Sequence, residues 1–123
     1  MATAAVKNLE IPQGTDWSEQ FQILDELGGV IALSTVTSIK GEARRIADHT
    51  TTVGFTFTIT LNTSTNIATS TVLKAVTSAL IVGPTKTHVD SKFHYDYEIL
   101  FATGVTDRIQ QGTCVIDREI TAI

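Results

Sequence analysis

Apolar and polar residues alternate along several short stretches of this chain, which is the pattern of a β-strand with one buried face. The clearest stretch is "FTFTITL", residues 55–61, where apolar side chains and threonines take opposite faces. Trp17, Phe21 and Ile23 share one face of an earlier stretch, and "FHYDYEILF", residues 93–101, alternates in the same way. Weaker alternation in residues 37–48, followed by "RIQQ" and "TCVIDREIT", brings the prediction to about six to seven strands.

Residues 62–91 break this alternation. Val72, Val76 and Leu80 recur at the spacing of one helix face, and Gly83-Pro84 would end such a helix. The spacing predicts a helix within residues 70–82, while the many β-branched residues leave a strand at 78–82 as the alternative. The whole pattern predicts an all-β fold, an immunoglobulin-like antiparallel β-sandwich with one short helix in a long connection.

The length of 123 residues fits one domain with one core. Residues 1–10 are mostly small or polar and are predicted to be a flexible N-terminal arm, with residues 11–123 forming the single sandwich domain around the 62–91 connection. The start of the chain lacks the charged region and apolar run of a signal peptide, and no stretch is long enough to span a membrane. We therefore expect a protein that is made in a cytoplasm and does not contact a membrane.

Composition narrows the function classes. The net charge of −4 and pI near 5.2 argue against a general affinity for nucleic acid, and Arg44-Arg45 is the only adjacent basic pair. The single cysteine, Cys114, excludes an internal disulfide and a cysteine-based zinc site. It alternates with Val115 and is expected to pack as a small apolar side chain. We expect neither nucleic acid nor a cofactor as a partner.

The acidic residues near the end of the chain admit two interpretations. Asp96 and Glu98 share a strand face, which a paired-carboxylate enzyme would need to place in a cleft. That face is opposite the one carrying Tyr95, Tyr97 and Ile99, and arginines follow on the next strands. We interpret these residues as structural cross-strand charges on an outer face, a set comprising Asp96, Glu98, Arg108 and Arg118.

The three histidines do not form a recognisable metal site. His49 and His88 lie in threonine-rich loops, and His94 begins a strand. No pair has the spacing of helical zinc ligands, although His88, Asp90 and His94 fall within seven residues and give a weak metal or triad signal. The sequence thus predicts no catalytic residue, no metal site and no enzyme.

Four motifs in order carry a family resemblance. They are "IPQGTDW" at 11–17, "DELGG" at 25–29, "KGEAR" at 40–44, and "FHYDYEILFATGVTDRIQQGTCVIDREIT" at 93–121. With these the chain resembles the small immunoglobulin-like sandwich of tailed-phage virion proteins, including the N-terminal domain of the phage baseplate upper protein family. The closing motif, about thirty residues long, is the more specific half. Residues 62–91 depart from the family, in which a brief turn commonly occupies this position.

The resemblance implies a non-enzymatic structural protein of a bacteriophage virion, assembled in the host cytoplasm. We expect a tail or baseplate component or adaptor that docks other phage virion proteins and forms a homo-oligomer in the particle. A capsid decoration protein is the alternative, and a glycan-binding sandwich is a further one. The contacts are expected from the arm, the 62–91 connection and the last strand 113–121, with these candidate interface residues: Val6, Leu9, Ile11, Val72, Val76, Leu80, Ile116 and Ile120.

Overall fold

Eight β-strands and one short helix make up the computed structural model, which describes residues 5–46 and 53–118. This confirms the predicted all-β class with a single short helix. None of the helices in the described ranges is long and apolar enough to cross a membrane. The helix α1 spans Lys74–Ser78, and the strands are β1 Ala5–Val6, β2 Leu9–Pro12, β3 Trp17–Phe21, β4 Val36–Arg45, β5 Phe55–Asn62, β6 Ile67–Val72, β7 Lys92–Phe101 and β8 Thr106–Asp117.

The strands follow the order β1-β8-β7-β4-β5-β6-β3. Strand β2 also pairs with β8, at positions closer to the C-terminal end of β8 than those that pair with β1. Strand β5 changes partner along its length, because residues 55–57 pair with β4 and residues 58–62 pair with β6. The change divides the strands into a larger layer around β4, β7 and β8 and a smaller layer of β6 and β3. Neighbouring strands are antiparallel, except that β1 and β2 run parallel to β8.

The core lies between these layers and is rich in aromatic rings. The alternation of β7 places Phe93, Tyr95 and Tyr97 inward, and these rings contact Phe55 and Phe57 of β5 at centroid distances of 5.1 to 5.6 Å. Aromatic pairs at such distances each contribute about 0.5–1.5 kcal/mol beyond the area they bury. The tilted and edge-to-face ring contacts therefore fix how β7 packs against β5.

The segment predicted to be a flexible arm is paired with β8 over its described residues. Leu9 and Ile11 are buried, and the Lys7 N–H donates to the Gln111 carbonyl at 2.9 Å. A Cβ at Gly112 would lie only 2.2 Å from the Lys7 carbonyl oxygen, so glycine permits this close backbone approach. The sequence did not reveal this pairing, because a parallel partner 105 positions along the chain leaves no local signal. Residues 1–4 lie outside the described residues.

The helix predicted within residues 70–82 is much shorter than expected. Residues 67–72 instead form strand β6, which pairs with β5 on one side and β3 on the other. Threonine and valine in this stretch are β-branched and favour the strand. The helix begins at Lys74, whose backbone N–H donates to Asp16 Oδ1 at 2.8 Å.

The strands define two ends of the sandwich. At one end Val36 of β4 pairs with Phe101 of β7, and at the other Arg45 pairs with Phe93. We call the first the turn end, comprising residues 22–35, 62–66 and 101–107. The second carries α1 and is called the helix end, comprising residues 13–16 and 73–92.

Candidate functional site

Charged and polar side chains cover the outer face of the three central strands of the larger layer. The register of β4, β7 and β8 arranges them in three rows of three across the sheet. Each row takes one residue from each strand, so oppositely charged groups become neighbours. We call this surface the charged face, and its rows are Lys40-Glu98-Arg108, Glu42-Asp96-Gln111 and Arg44-His94-Thr113.

The acids of the charged face lie beside cations. Asp96 Oδ2 is 3.3 Å from Arg108 Nε, and Arg108 Nη1 also donates to Gln111 Oε1 at 3.1 Å. Glu42 Oε1 is 3.5 Å from Arg44 Nη2. Exposed pairs of this kind typically stabilise a fold by about 0.2–1 kcal/mol each. These pairs stabilise the strand register of the sheet. They lie on its open outer face and do not form an enclosed acid–base pair.

Of the other two predicted cross-strand charges, Glu98 lies opposite an arginine and Arg118 lies outside the paired strands. Glu98 lies opposite Arg108 in the strand register. Arg118 is exposed one residue beyond the end of β8, so it does not lie opposite Asp96 or Glu98.

A shallow cleft of about 430 Å³ opens over the charged face. Its floor includes Glu42, His94 and Asp96, and Val6 and Asn8 of the N-terminal segment form part of its rim. The lining offers hydrogen-bond donors and acceptors on an open sheet surface. Such a surface suits a polar ligand, because a neutral polar molecule can pair with both kinds of group.

A polar network lies between the two layers, with the exposed Lys7 side chain at its edge. Glu19 of β3 receives hydrogen bonds from the Tyr97 hydroxyl at 2.8 Å and from Gln110 Nε2 at 3.1 Å, and Lys7 Nζ is 2.8 Å from its other oxygen. The Tyr97 hydroxyl also lies 2.9 Å from Ser70 Oγ of β6. We call these five residues the Glu19 network. It joins β3 and β6 to β7, β8 and the N-terminal segment.

A β-bulge in β8 brings Gln110 into this network. Tyr97 pairs with Gln110, but the next residue, Glu98, pairs with Arg108, so Ile109 is an extra residue. As a result Ile109 and Gln110 are both buried. Gln110 Nε2 also donates to the Tyr95 hydroxyl at 2.9 Å, and that hydroxyl donates to the Lys7 carbonyl.

Reasoning from the sequence missed the Glu19 network. The available signal was the position of Glu19 on the same strand face as Trp17 and Phe21. A carboxylate on an apolar strand face needs partners inside the fold, because burial of an unpaired charge is costly. The partners lie on four other chain segments, which the sequence alone does not bring together.

Burial raises the pKa values of two phenols and of the single thiol. Burial raises the pKa of Tyr95 to about 12, and it raises the pKa of Tyr97 further. Burial likewise raises the pKa of the Cys114 thiol to about 12. A thiol acts as a nucleophile in its deprotonated form, so Cys114 is placed as a packing residue.

The histidines take separate positions. His88 Nδ1 accepts the backbone N–H of Asp90 at 3.1 Å and so caps the short 3₁₀ turn at Val89–Ser91. His94 lies on the charged face, and His49 lies outside the described residues. Within residues 5–46 and 53–118, no group of three or more histidine, cysteine or carboxylate side chains could hold a metal ion.

The predicted interface residues divide between the core and the surface. Four of them are buried in this chain and pack its own core: Leu9, Ile11, Val72 and Ile116. Val6 and Val76 are exposed, Leu80 is partly buried against the core, and Ile120 lies outside the described residues. Any contact with a partner made by the buried four would require their strands to separate.

Apart from Val76, sequence reasoning did not find the exposed apolar side chains that mark the two ends of the sandwich. At the turn end these are Leu24, Leu27, Val30 and Val105, and at the helix end they are Leu73, Val76, Ile81 and Val89. Leu27 and Ile81 are the most exposed of each set, at 96% and 84%. Clustered apolar exposure of this kind is typical of surfaces that contact another protein.

No family model matches this sequence, and no curated protein matches it. Among solved structures, the chain is similar to a mutant of the SrpA adhesin of Streptococcus sanguinis, with a TM-score of 0.50 and 16% identity over 96% of this chain. It spans 55% of that protein, about half its length. At this identity the likeness shows the fold alone.

Two further structures align over most of this chain but less closely. One is the sialic acid binding region of a Streptococcus sanguinis adhesin, with a TM-score of 0.44, 10% identity, and coverage of 91% of this chain and 27% of that one. The other is an internalin-like protein of Listeria monocytogenes, with a TM-score of 0.38, 15% identity, and coverage of 94% and 28%. Neither aligns well enough to support a conclusion, and the resemblance to phage virion proteins stays a prediction.

Proposed function

We propose that this chain is a non-enzymatic structural protein that assembles in multiple copies and docks neighbouring proteins. The observation that carries this proposal is the exposed apolar surface at each end of the sandwich, while the side between the ends carries paired charges. A block that presents apolar side chains at opposite ends can contact a neighbour at each of them. The roles of Cys114 and the Glu19 network in packing support a structural rather than a catalytic protein.

The proposed setting is the virion of a tailed phage, as a tail or baseplate component or adaptor assembled in the host cytoplasm. Support for this setting comes from the resemblance of residues 93–121 to the sandwich of phage virion proteins. A capsid decoration protein is the alternative, in which the same two ends would contact capsid subunits.

Quantitative mass spectrometry of purified particles tests the setting. Roughly six to eighteen copies per particle would support the tail, because ring symmetry limits the number of copies there. Hundreds of copies would support the capsid. Particles that lack the protein altogether would contradict both forms of the proposal.

A glycan-binding module is the second candidate, and the cleft over the charged face favours it. The similar SrpA protein is described as an adhesin. Binding of the purified protein to a panel of immobilised glycans tests this role, with Arg108→Ala as the cleft variant and Ser18→Ala of β3 as a control outside the cleft. Binding that Arg108→Ala abolishes and Ser18→Ala preserves would support the second candidate, and absence of glycan binding would reject it.

A further inference from the structure

The turn end presents one apolar side chain on a rigid turn. Asp25 Oδ1 accepts the backbone N–H groups of Leu27 at 2.9 Å and Gly29 at 2.8 Å, and the Gly28 N–H donates to the Asp25 carbonyl at 3.1 Å. Gly28 has a φ of +84°, which glycine adopts without strain. Leu27 is therefore held outward, and a partner that contacts it would order little further chain.

An apolar cleft lies beside this turn. Its volume is about 330 Å³, and Ile31, Phe101 and Val105 supply most of the apolar lining. The cleft lies between the turn that carries Leu27 and the turn that joins β7 to β8. The turn end thus combines a projecting leucine with a neighbouring hollow.

The turn end carries negative charge only. Its residues include Asp25, Glu26 and Asp107 and contain no lysine, arginine or histidine. Asp107 Oδ2 is buried and has no hydrogen-bond partner within the described residues. A partner with positive charge beside an apolar surface would complement this end.

The helix end has that complementary character. Residues 13–16 and 73–92 contain three lysines, Lys74, Lys86 and Lys92, against two acids, Asp16 and Asp90. Lys86 Nζ also lies 3.3 Å from Glu10 Oε1 of β2, and the Arg45 guanidinium, which donates to the Ile81 carbonyl, adds a further cation. The exposed apolar side chains of this end, Leu73, Val76, Ile81 and Val89, lie in the same segment.

Hydrogen bonds hold the helix end in a defined shape. Arg45 Nη2 donates to the Ile81 carbonyl at 2.6 Å, and Gln13 Nε2 donates to the carbonyls of Thr77 at 2.9 Å and Leu80 at 3.0 Å. Asp16 is engaged by the backbone N–H of Lys74. The basic and apolar groups are therefore presented together on a fixed surface.

We propose that the turn end of one copy docks head-to-tail against the helix end of a second copy. The inference rests on the proposed assembly in multiple copies and names the surfaces that make it. Pairing two turn ends would bring Asp25 and Glu26 against their own kind, and pairing two helix ends would oppose lysines. Only the head-to-tail contact joins the acidic turn end to a surface on which cations outnumber acids.

A head-to-tail contact has a geometric consequence. The two surfaces in contact differ, so each copy keeps one unused surface that can bind a further copy. The series closes into a ring if the rotation between copies allows it and continues as a stack if it does not. Either form suits a component repeated along or around a particle axis.

Two single substitutions test the inference. Leu27→Ser blocks the turn end, and Ile81→Ser blocks the helix end. Both side chains are almost fully exposed, so the fold should be retained, which circular dichroism and thermal melting would verify. Thr58→Ser is the control, because Thr58 is exposed in the middle of β5, away from both ends.

Sedimentation equilibrium over a rising concentration series gives the readout. The wild type and Thr58→Ser are expected to exceed the single-chain mass of 13.3 kDa as concentration rises. Each end variant alone is expected to remain at 13.3 kDa. A mixture of the two variants is expected to reach twice 13.3 kDa and no more, because only one productive contact remains.

Three results would overturn the inference. They are a wild type that stays at 13.3 kDa at every concentration, an end variant that still dimerises alone, and a mixture that stays monomeric. A different result would contradict the proposed function: absence of the protein from purified particles. Normal incorporation of Leu27→Ser into particles would show that assembly does not need the apolar side chain of the turn end, which contradicts the head-to-tail contact and leaves the structural role intact.

Discussion

Glu19 is the residue whose position most constrains the interior. Its carboxylate lies on the apolar face of β3 between Trp17 and Phe21, where an unpaired charge would destabilise the fold by several kcal/mol or more. Lys7 supplies the opposite charge, and Tyr97 and Gln110 supply hydrogen bonds. The network therefore makes the closure of the two layers depend on specific polar partners.

Tyr97→Phe is expected to lower the free energy of unfolding by about 1–3 kcal/mol, because Glu19 loses a buried hydrogen-bond donor. Urea denaturation followed by fluorescence of Trp17 measures the effect. Thr56→Val, on the exposed face of β5, serves as a control that should stay within about 0.5 kcal/mol of the wild type. Equal stability of Tyr97→Phe and the wild type would show that the network contributes nothing.

Stability is expected to fall as pH rises from 9 towards 12. The pKa of Cys114 is raised from 9.0 to about 12 and that of Tyr95 from 10.0 to about 12, so the folded state binds these protons more tightly than the unfolded state. The stabilisation is complete below the unfolded pKa values and is lost above them, by about 1.4 kcal/mol per pH unit for each group. Thermal melts across this range measure it, and a midpoint that does not change would contradict it.

At the scale of elements, the N-terminal segment depends on Gly112. An alanine there would place its Cβ 2.2 Å from the Lys7 carbonyl oxygen, so the segment would have to move away from β8. Gly112→Ala is expected to speed hydrogen exchange at Leu9 and Ile11. The neighbouring Thr113→Ala keeps the backbone contact and should leave exchange at these two residues unchanged. Full protection in Gly112→Ala would contradict the tight packing of the segment.

The single natural cysteine offers a direct test of strand pairing. Leu9 and Cys114 are register partners on β2 and β8, and neighbouring strands hold such pairs within the Cα separation that a disulfide needs, about 4.4–6.8 Å. Leu9→Cys is expected to form an intrachain disulfide on mild oxidation, which non-reducing electrophoresis would show as a monomer. A disulfide-linked dimer would mean that the segment pairs with another copy instead.

The sequence pattern revealed some elements and concealed others. Strands β3, β5 and β7 were readable because large apolar residues alternate with polar ones. Strand β6 was not, since its buried positions are the small residues Ala68 and Ser70 followed by Val72. Small side chains give little periodic contrast, and the helical spacing of Val72, Val76 and Leu80 suggested the wrong element.

The surfaces of the protein could likewise be predicted only in part. The alternation of β7 predicted that Asp96 and Glu98 share a face. By contrast, the turn end joins residues near Leu27 to residues near Val105, which are far apart in sequence and meet only through the strand order. The ends of the sandwich therefore required the fold before they could be recognised.

At the scale of the whole molecule, we propose that the two ends of the sandwich are complementary contact surfaces. Light scattering of the wild-type protein over a rising concentration series tests this most directly. The mass is expected to climb above 13.3 kDa with concentration and to fall back to 13.3 kDa when Leu27 is replaced by serine. A mass of 13.3 kDa at every concentration would contradict it.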